Sequence, residues 1–153
     1  MTTHAVGIDM IEIARVRHVL EKHPERFLRR VYTPAERAFC RGRVPELAAR
    51  YAAKEALMKA LGTGARSVAW RDIEVLPDRR GKPLVYLHGN AKARAERIGL
   101  RAIDISLSHL ESLAIASVVC AQEVREQEPE EARTRLLDRL RARGLLEEDD
   151  AGA

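Results

Sequence analysis

Cysteine, aromatic residues and long apolar runs are all scarce in this chain of 153 residues. The two cysteines, Cys40 and Cys120, form no disulfide framework and no Cys-x-x-Cys pair, so we expect reduced thiols in a cytoplasmic protein. Aromatic residues make up only 4% of the chain, which argues against a reader of single-stranded RNA that stacks bases on aromatic rings. No stretch approaches the roughly 20 apolar residues of a membrane span, and Asp9 and Glu12 interrupt the apolar N-terminus. We therefore expect neither a membrane partner nor a signal peptide.

Several motifs of common catalytic sites are also missing. The chain has no Walker A loop and no Gly-x-Gly-x-x-Gly fingerprint, which argues against the two commonest nucleotide-binding loops. It has no Gly-x-Ser-x-Gly elbow, so a serine hydrolase is not favoured. Its cysteines and five histidines lack the spacing of a zinc site.

Charge is abundant but uneven. The net charge is +4, yet residues 122–153 carry six arginines against ten acidic residues, so the first 121 residues hold +8. Residues 15–43 alone have nine basic and three acidic side chains. Such a basic stretch indicates an anionic partner, which leaves nucleic acid, a phosphate ligand and an acidic protein as alternatives, beside an ordinary solvated surface.

Hydrophobic periodicity predicts an α+β domain with a mostly antiparallel sheet packed against a long central helix. We expect a short buried strand at 4–13, a hairpin of strands at 72–76 and 84–88, and a final antiparallel pair at 102–108 and 113–121. Helices are predicted at 12–22, from Pro34 behind an N-cap Thr33, at 45–61, and at 90–98 behind an N-cap Asn90.

The last part of the chain differs in composition from the rest. We divide the chain into a domain of residues 1–121 and a charged helical extension of residues 122–153. Pro129 begins a predicted helix with a narrow leucine stripe, Gly144 ends it, and residues 147–150 form an acidic tip.

The long helix carries the first candidate for chemistry. Glu55 and Lys59 are four residues apart and share one face beside Ala48 and Ala52, whose small side chains we interpret as leaving room for a ligand. The alternative is an ordinary i,i+4 ion pair that contributes a few tenths of a kcal/mol.

Asp9 strengthens the functional interpretation. It ends an apolar run, Ala5-Val6-Gly7-Ile8, and so lies at the end of a predicted strand. If that strand lies beside the helix, the carboxylates of Asp9 and Glu55 repel each other unless one takes a proton or a cation lies between them. A pair of hard oxygen ligands suits Mg²⁺, which keeps water and takes further ligands from substrate phosphates.

These residues occur within longer motifs that resemble the small, single-domain holo-acyl-carrier-protein synthases, a family of 4′-phosphopantetheinyl transferases. The motifs follow one another in the family's order over about residues 4–121, and the second is highly specific. They are Gly7-Ile-Asp9-Met-Ile-Glu12-Ile, Ala52-Ala-Lys54-Glu55-Ala-Leu-Met-Lys59-Ala-Leu-Gly62-Thr-Gly64, Gly81-Lys82-Pro83 and Ile105-Ser-Leu-Ser-His109.

The resemblance implies an enzyme that moves the phosphopantetheine arm of coenzyme A onto a serine of an apo carrier protein. It implies Mg²⁺ held by Asp9 and Glu55, and catalytic roles for Glu55 and Lys59. Coenzyme A would contact Arg50, Lys59, Gly62 and His109, with Arg50 and His109 facing its phosphates. The helical wheel places Arg50 more than about 100° from Glu55. The family forms a homotrimer with its sites between subunits, so Arg50 of one subunit would meet Glu55 of another.

The resemblance also gives the basic stretch a partner. Arg15, Arg26 and Phe27 match the positions at which the family docks its acidic carrier protein, and we expect no nucleic acid there. The acceptor of the serine proton stays open between Glu55, a metal-ordered water and another carboxylate. Two rivals remain: a basic nucleic-acid-binding module, and an inactive relative that only docks carriers.

Overall fold

The computed structural model describes residues 3–123 and 128–147. The strands are β1 Thr3–Glu12, β2 Ile73–Pro77, β3 Pro83–Leu87, β4 Leu100–His109 and β5 Leu113–Gln122. The helices are α1 Ile13–Lys22, α2 Pro24–Val31, α3 Pro34–Cys40, α4 Val44–Ala60, α5 Gly89–Arg97 and α6 Pro129–Ala142. Two single 3₁₀ turns, Gly64–Arg66 and Trp70–Asp72, connect α4 to β2.

Two antiparallel sheets confirm the predicted α+β class. One sheet has the strand order β1-β5-β4, and the other is the β2–β3 hairpin. Helix α4 packs across β1 and β5 and forms the centre of the core. The sequence analysis missed α2, an eight-residue helix that begins at Pro24 directly after α1.

The first residues of α3 and α5 show which N-cap predictions were correct. Thr33 caps α3 as predicted, and Glu36 completes a capping box with it, since each side chain bonds to the other residue's backbone N–H. The predicted cap Asn90 was wrong, because α5 begins at Gly89 and its N-cap is His88, two residues earlier.

Strand β1 is buried on one face only, which corrects the expectation of a buried strand. Ala5 and Gly7 face α4, whereas Val6, Ile8 and Met10 are 66%, 59% and 64% exposed. The alternation follows from the two-residue period of a strand. An apolar outer face on an edge strand is a surface that proteins usually cover.

Small residues on α4 serve packing rather than a ligand. Ala48, Ala52 and Ala56 are completely buried, so the predicted open space beside Ala48 and Ala52 was wrong. They let β1 lie so close to the helix that a Cβ on Gly7 would overlap the carbonyl oxygen of Ala56. Gly7 therefore sets the distance between the strand that carries Asp9 and the helix that carries Glu55.

We expect Gly7→Ala to destabilise the protein by about 1–3 kcal/mol, because the added methyl must push β1 away from α4. Urea unfolding measures the loss. The matched control is Gly81→Ala in the β2–β3 turn, where a Cβ would meet no atom within 4 Å but where the backbone φ is +89°. That control should lose stability only through backbone strain. A free energy of unfolding equal to that of wild type in Gly7→Ala would contradict the spacing role.

The predicted helix of the extension is confirmed as α6, which Gly144 ends with a positive φ. Leu136 on its stripe is 47% exposed, and Leu145 just beyond it is 69% exposed. The junction at residues 124–127 and most of the acidic tip at 147–150 lie outside the described residues. Across the described part of the chain, no helix is long and apolar enough to cross a membrane.

Candidate functional site

Asp9 and Lys59 meet where β1 crosses α4. Lys59 Nζ lies 3.0 Å from Asp9 Oδ1 and donates a second hydrogen bond, of 2.8 Å, to the carbonyl oxygen of Ile8. The Asp9 side chain is 19% exposed and that of Lys59 is 53% exposed, so the pair faces solvent from a partly sheltered position. Glu55 stands one helical turn before Lys59 and is half-buried.

The pKa of the Glu55 carboxyl group depends on these neighbours. Burial raises the pKa of Glu55, the negative charge of Asp9 raises it further, and the Lys59 ammonium lowers it. Burial and the charge of Glu55 likewise raise the pKa of the Tyr51 hydroxyl, which also senses Asp9 and Arg15. The structure thus brings Asp9, Glu55 and Lys59 into one cluster, as the sequence predicts. We call it the carboxylate–lysine cluster.

The donor set of this cluster fits a divalent cation that brings other ligands with it. Two carboxylates supply hard oxygen atoms, and a cation between them relieves their mutual repulsion. Among the described residues, no group of three or more histidine, cysteine or acidic side chains is arranged to hold a metal ion. Asp9 and Glu55 would therefore bind a metal together with water or a ligand's oxygen atoms, as Mg²⁺ prefers.

Arg50 and His109 line a separate cleft of about 510 Å³ between α4 and the β2–β3 turn. The cleft wall also includes Phe39, Asp78 and Arg79, but neither Glu55 nor Asp9. The prediction that Arg50 points away from Glu55 is consistent with this arrangement.

Arg50 is only 3% exposed and is held on several sides. Its Nε donates to the carbonyl oxygen of Val75 at 3.0 Å, and its Nη1 lies 2.7 Å from a carboxylate oxygen of Glu46. The guanidinium lies over the Phe39 ring, 4.5 Å from the centroid. These contacts fix the guanidinium at the cleft wall, where its remaining nitrogen can meet an anion.

The other predicted site residues fall in three places. Gly62 follows α4 with φ +69°, and its N–H donates to the carbonyl oxygen of Lys59. Arg15 on α1 and Arg26 on α2 are exposed. Phe27 is half-buried, with its ring 5.6 Å from that of Tyr32 and 6.3 Å from that of Tyr51. The structure therefore shows a packing role for Phe27, and its docking role stays a prediction.

Comparison with known families decides between the remaining interpretations. The profile of the 4′-phosphopantetheinyl transferase superfamily matches residues 5–121. The chain belongs to this superfamily.

Individual phosphopantetheinyl transferases agree with the assignment. A holo-[acyl-carrier-protein] synthase from Herpetosiphon aurantiacus is 49% identical over 120 residues, which cover 74% of this chain and 94% of that protein. The Helicobacter pylori synthase in complex with coenzyme A has a TM-score of 0.70 at 30% identity, covering 75% of this chain and 98% of that one. The Neisseria meningitidis synthase has a TM-score of 0.71 at 32% identity, with coverages of 76% and 96%. None of these relatives supports the nucleic-acid alternative.

The sequence analysis missed a polar pair inside this phosphopantetheinyl transferase. Lys54 and Glu36 are both completely buried and form an ion pair of 2.7 Å. Burial lowers the pKa of Lys54, while the Glu36 carboxylate opposes that shift. The signal was present, because the wheel places Lys54 among alanines and leucines that are themselves buried.

Proposed function

We propose that the chain transfers the 4′-phosphopantetheine group of coenzyme A to a serine of an apo acyl carrier protein. The observation that carries the proposal is the carboxylate–lysine cluster, Asp9, Glu55 and Lys59. It occurs in a chain whose relatives over residues 5–121 are named holo-[acyl-carrier-protein] synthases.

The reaction exchanges the phosphoanhydride bond of coenzyme A for a phosphodiester bond to the carrier serine. The serine oxygen bonds to the β-phosphorus of the coenzyme's pyrophosphate, the bond from that phosphorus to the bridging oxygen breaks, and adenosine 3′,5′-bisphosphate leaves with the electron pair. The serine hydroxyl gives its proton to a base, for which Glu55 of the cluster is one of the three acceptors named above. Such a step depends mainly on positioning and on stabilising negative charge that spreads over the phosphate oxygens.

The residues of the cluster match those needs. Lys59, half exposed beside Asp9, offers an ammonium that would exchange its ion pair for a pyrophosphate oxygen and neutralise it. Asp9 and Glu55 would hold Mg²⁺. When bound, Mg²⁺ supplies positive charge to the phosphate oxygens. Arg50 and His109 would bind the coenzyme's other phosphates in the cleft.

Mass spectrometry of the carrier tests the function. The protein is mixed with an apo carrier, coenzyme A and Mg²⁺, and the carrier should gain about 340 Da, the mass of the transferred arm. Omission of Mg²⁺ should prevent the gain. Binding of the carrier with no gain in mass would favour the inactive-relative alternative instead.

The basic face formed by α1 and α2 is the proposed carrier dock. Arg15 and Arg26 are exposed there, and carrier proteins of this class are acidic, so charge steers the encounter. Phe27 would contribute an edge of the aromatic cluster behind them.

We expect Arg15→Glu to raise the KM for the carrier about tenfold, since one favourable charge contact becomes repulsive. The KM for coenzyme A should stay unchanged. Steady-state kinetics with each substrate varied in turn measures both KM values. Raised salt should reduce the difference in carrier KM between Arg15→Glu and wild type. An equal rise in both KM values would contradict the docking assignment.

We further propose a homotrimer whose sites lie between subunits. The outer face of the β1–β5 pair supports this: Val6 faces Val119 across the pair, and Val119 is 47% exposed. With Ile8 and Met10 these residues form an apolar surface of the kind that subunit contacts cover. A second subunit would also let the Arg50 cleft of one chain meet the carboxylate–lysine cluster of another.

Light scattering should give three times the chain mass of 17.2 kDa for wild type. Ile8→Glu on the outer face should shift the protein to monomer and abolish transfer, because each site loses half of its residues. Ile8→Val serves as the apolar control. A fully active monomer would contradict the shared site.

The extension of residues 122–153 lies beyond the matched family region, and we propose that it is an appendage rather than a second domain. We also propose a cytoplasmic location, which suits two free cysteines, Cys40 and Cys120, both buried.

A further inference from the structure

The outer edge of strand β2 is held by side chains rather than by another strand. Its inner edge pairs with β3. On the outer edge, Lys54 Nζ donates to the carbonyl oxygen of Ile73 at 2.6 Å, and Arg50 Nε donates to that of Val75 at 3.0 Å. The N–H of Val75 donates to Glu36 Oε1 at 2.9 Å. Two residues of α4 and one of α3 thus complete the bonding of this edge.

Glu36 is the centre of these contacts. Its side chain is fully buried. One oxygen accepts from Val75, and the other accepts from Lys54 Nζ at 2.7 Å and from the N–H of Thr33 at 2.8 Å. A buried carboxylate with three donors, one of them charged, is fixed in position by all of them.

The backbone of Val75 links Glu36 to the phosphate cleft. Its N–H donates to Glu36 and its carbonyl oxygen accepts from Arg50, so a shift of this residue moves an acceptor that orients the Arg50 guanidinium. Strand β2 ends at Pro77, and the turn residues Asp78 and Arg79 follow it; all three line the same cleft as Arg50. Through Val75, Glu36 therefore supports both the strand that leads into this turn and one of the acceptors that hold Arg50, the other being Glu46.

We infer that Glu36 is a positioning residue for phosphate recognition: through Val75 it holds Arg50 and the β2–β3 turn at the distance that the coenzyme's 3′-phosphate requires. This inference rests on the proposed function, because it takes coenzyme A as the ligand of the Arg50–His109 cleft. Glu36 itself touches no ligand, since its carboxylate is buried and all of its contacts are internal.

The test compares coenzyme A with 3′-dephospho-coenzyme A, which lacks only the 3′-phosphate. Wild type should prefer coenzyme A in kcat/KM by about ten- to a hundredfold, the range expected for hydrogen bonds to a charged group. In Glu36→Gln, the amide NH₂ must face either the Val75 N–H or the Lys54 ammonium, and both are donors. The preference should fall about tenfold, with most of the change in KM for coenzyme A.

Two further variants separate an effect on phosphate recognition from a general loss of folding stability. Ile98→Ala truncates a fully buried side chain directly after α5, outside the hydrogen bonds of Glu36, Val75 and Arg50, and should lower the melting temperature without changing the preference. The double variant Glu36→Leu with Lys54→Met replaces the buried pair by apolar residues, an exchange that often leaves folding intact. It removes the Val75 anchor as well, so it should lose the preference, and circular dichroism checks that the variant is folded at the assay temperature.

Each outcome has a distinct meaning. A preference that falls in both Glu36 variants and persists in Ile98→Ala supports the inference. The inference is overturned if both Glu36 variants keep the wild-type preference for coenzyme A. It is also overturned if wild type itself does not distinguish coenzyme A from 3′-dephospho-coenzyme A. A wild type that transfers no arm from coenzyme A refutes the proposed function itself, and the carrier's mass reveals that result directly.

Discussion

The Glu55→Gln variant should lose transfer activity by at least about 10²–10³-fold while unfolding at nearly the same temperature as wild type. Glutamine keeps the size of Glu55 but removes one of the two charges that would hold the metal. Asp9→Asn should behave in the same way and should also free the Lys59 ammonium from its ion pair. Turnover of the carrier at saturating coenzyme A and Mg²⁺ measures the loss.

The control for this loss is Glu96→Gln, a matched substitution at an exposed position on α5. It should retain full activity, since Glu96 has no part in the carboxylate–lysine cluster. If Glu55→Gln turned over at the wild-type rate with Mg²⁺, the proposed metal site would be wrong, whatever the effect of Asp9→Asn.

Lys54→Met should cost about 3–5 kcal/mol of folding free energy, the largest stability loss we expect from a single substitution. The ammonium donates to Glu36 and to the carbonyl oxygens of Val31, Trp70 and Ile73. Its removal leaves a buried carboxylate without its counter-charge and three carbonyl groups with one donor fewer. Urea unfolding, followed by circular dichroism, measures the free energy.

The same change five residues further along the helix gives the matched control. Lys59→Met replaces a lysine of α4 whose side chain is 53% exposed, and it should change stability by less than about 1 kcal/mol. Its effect should appear in transfer instead. Similar stability losses for the two variants would contradict the assignment of Lys54 to structure and Lys59 to chemistry.

The sequence predicts contacts between residues whose spacing along one helix, or whose position at a helix start, places them close together. Glu55 and Lys59 share a helix face because they are four residues apart. Thr33 marks the start of α3 because its side chain caps the helix. The fold class followed from periodicity alone. Placing Asp9 beside Glu55 required more, because 46 residues separate them and only the packing of β1 on α4 joins them.

Long-range packing explains what the sequence could not supply. Gly7 appeared in a motif, yet its role depends on the approach of β1 to the Ala56 carbonyl, which local sequence does not contain. Ala48 and Ala52 had been interpreted as space for a ligand, whereas the same small size serves close packing. The burial of Lys54 depends on four acceptors drawn from four different segments, which the sequence does not bring together.

Direct metal binding tests the central claim, that Asp9 and Glu55 together hold one divalent ion for the coenzyme. Mn²⁺ replaces Mg²⁺, and electron paramagnetic resonance follows the loss of the free-ion signal as protein and coenzyme A are added. We predict one bound ion per chain for wild type and at least about tenfold weaker binding for both Asp9→Asn and Glu55→Gln. Wild-type affinity in both variants would contradict the claim.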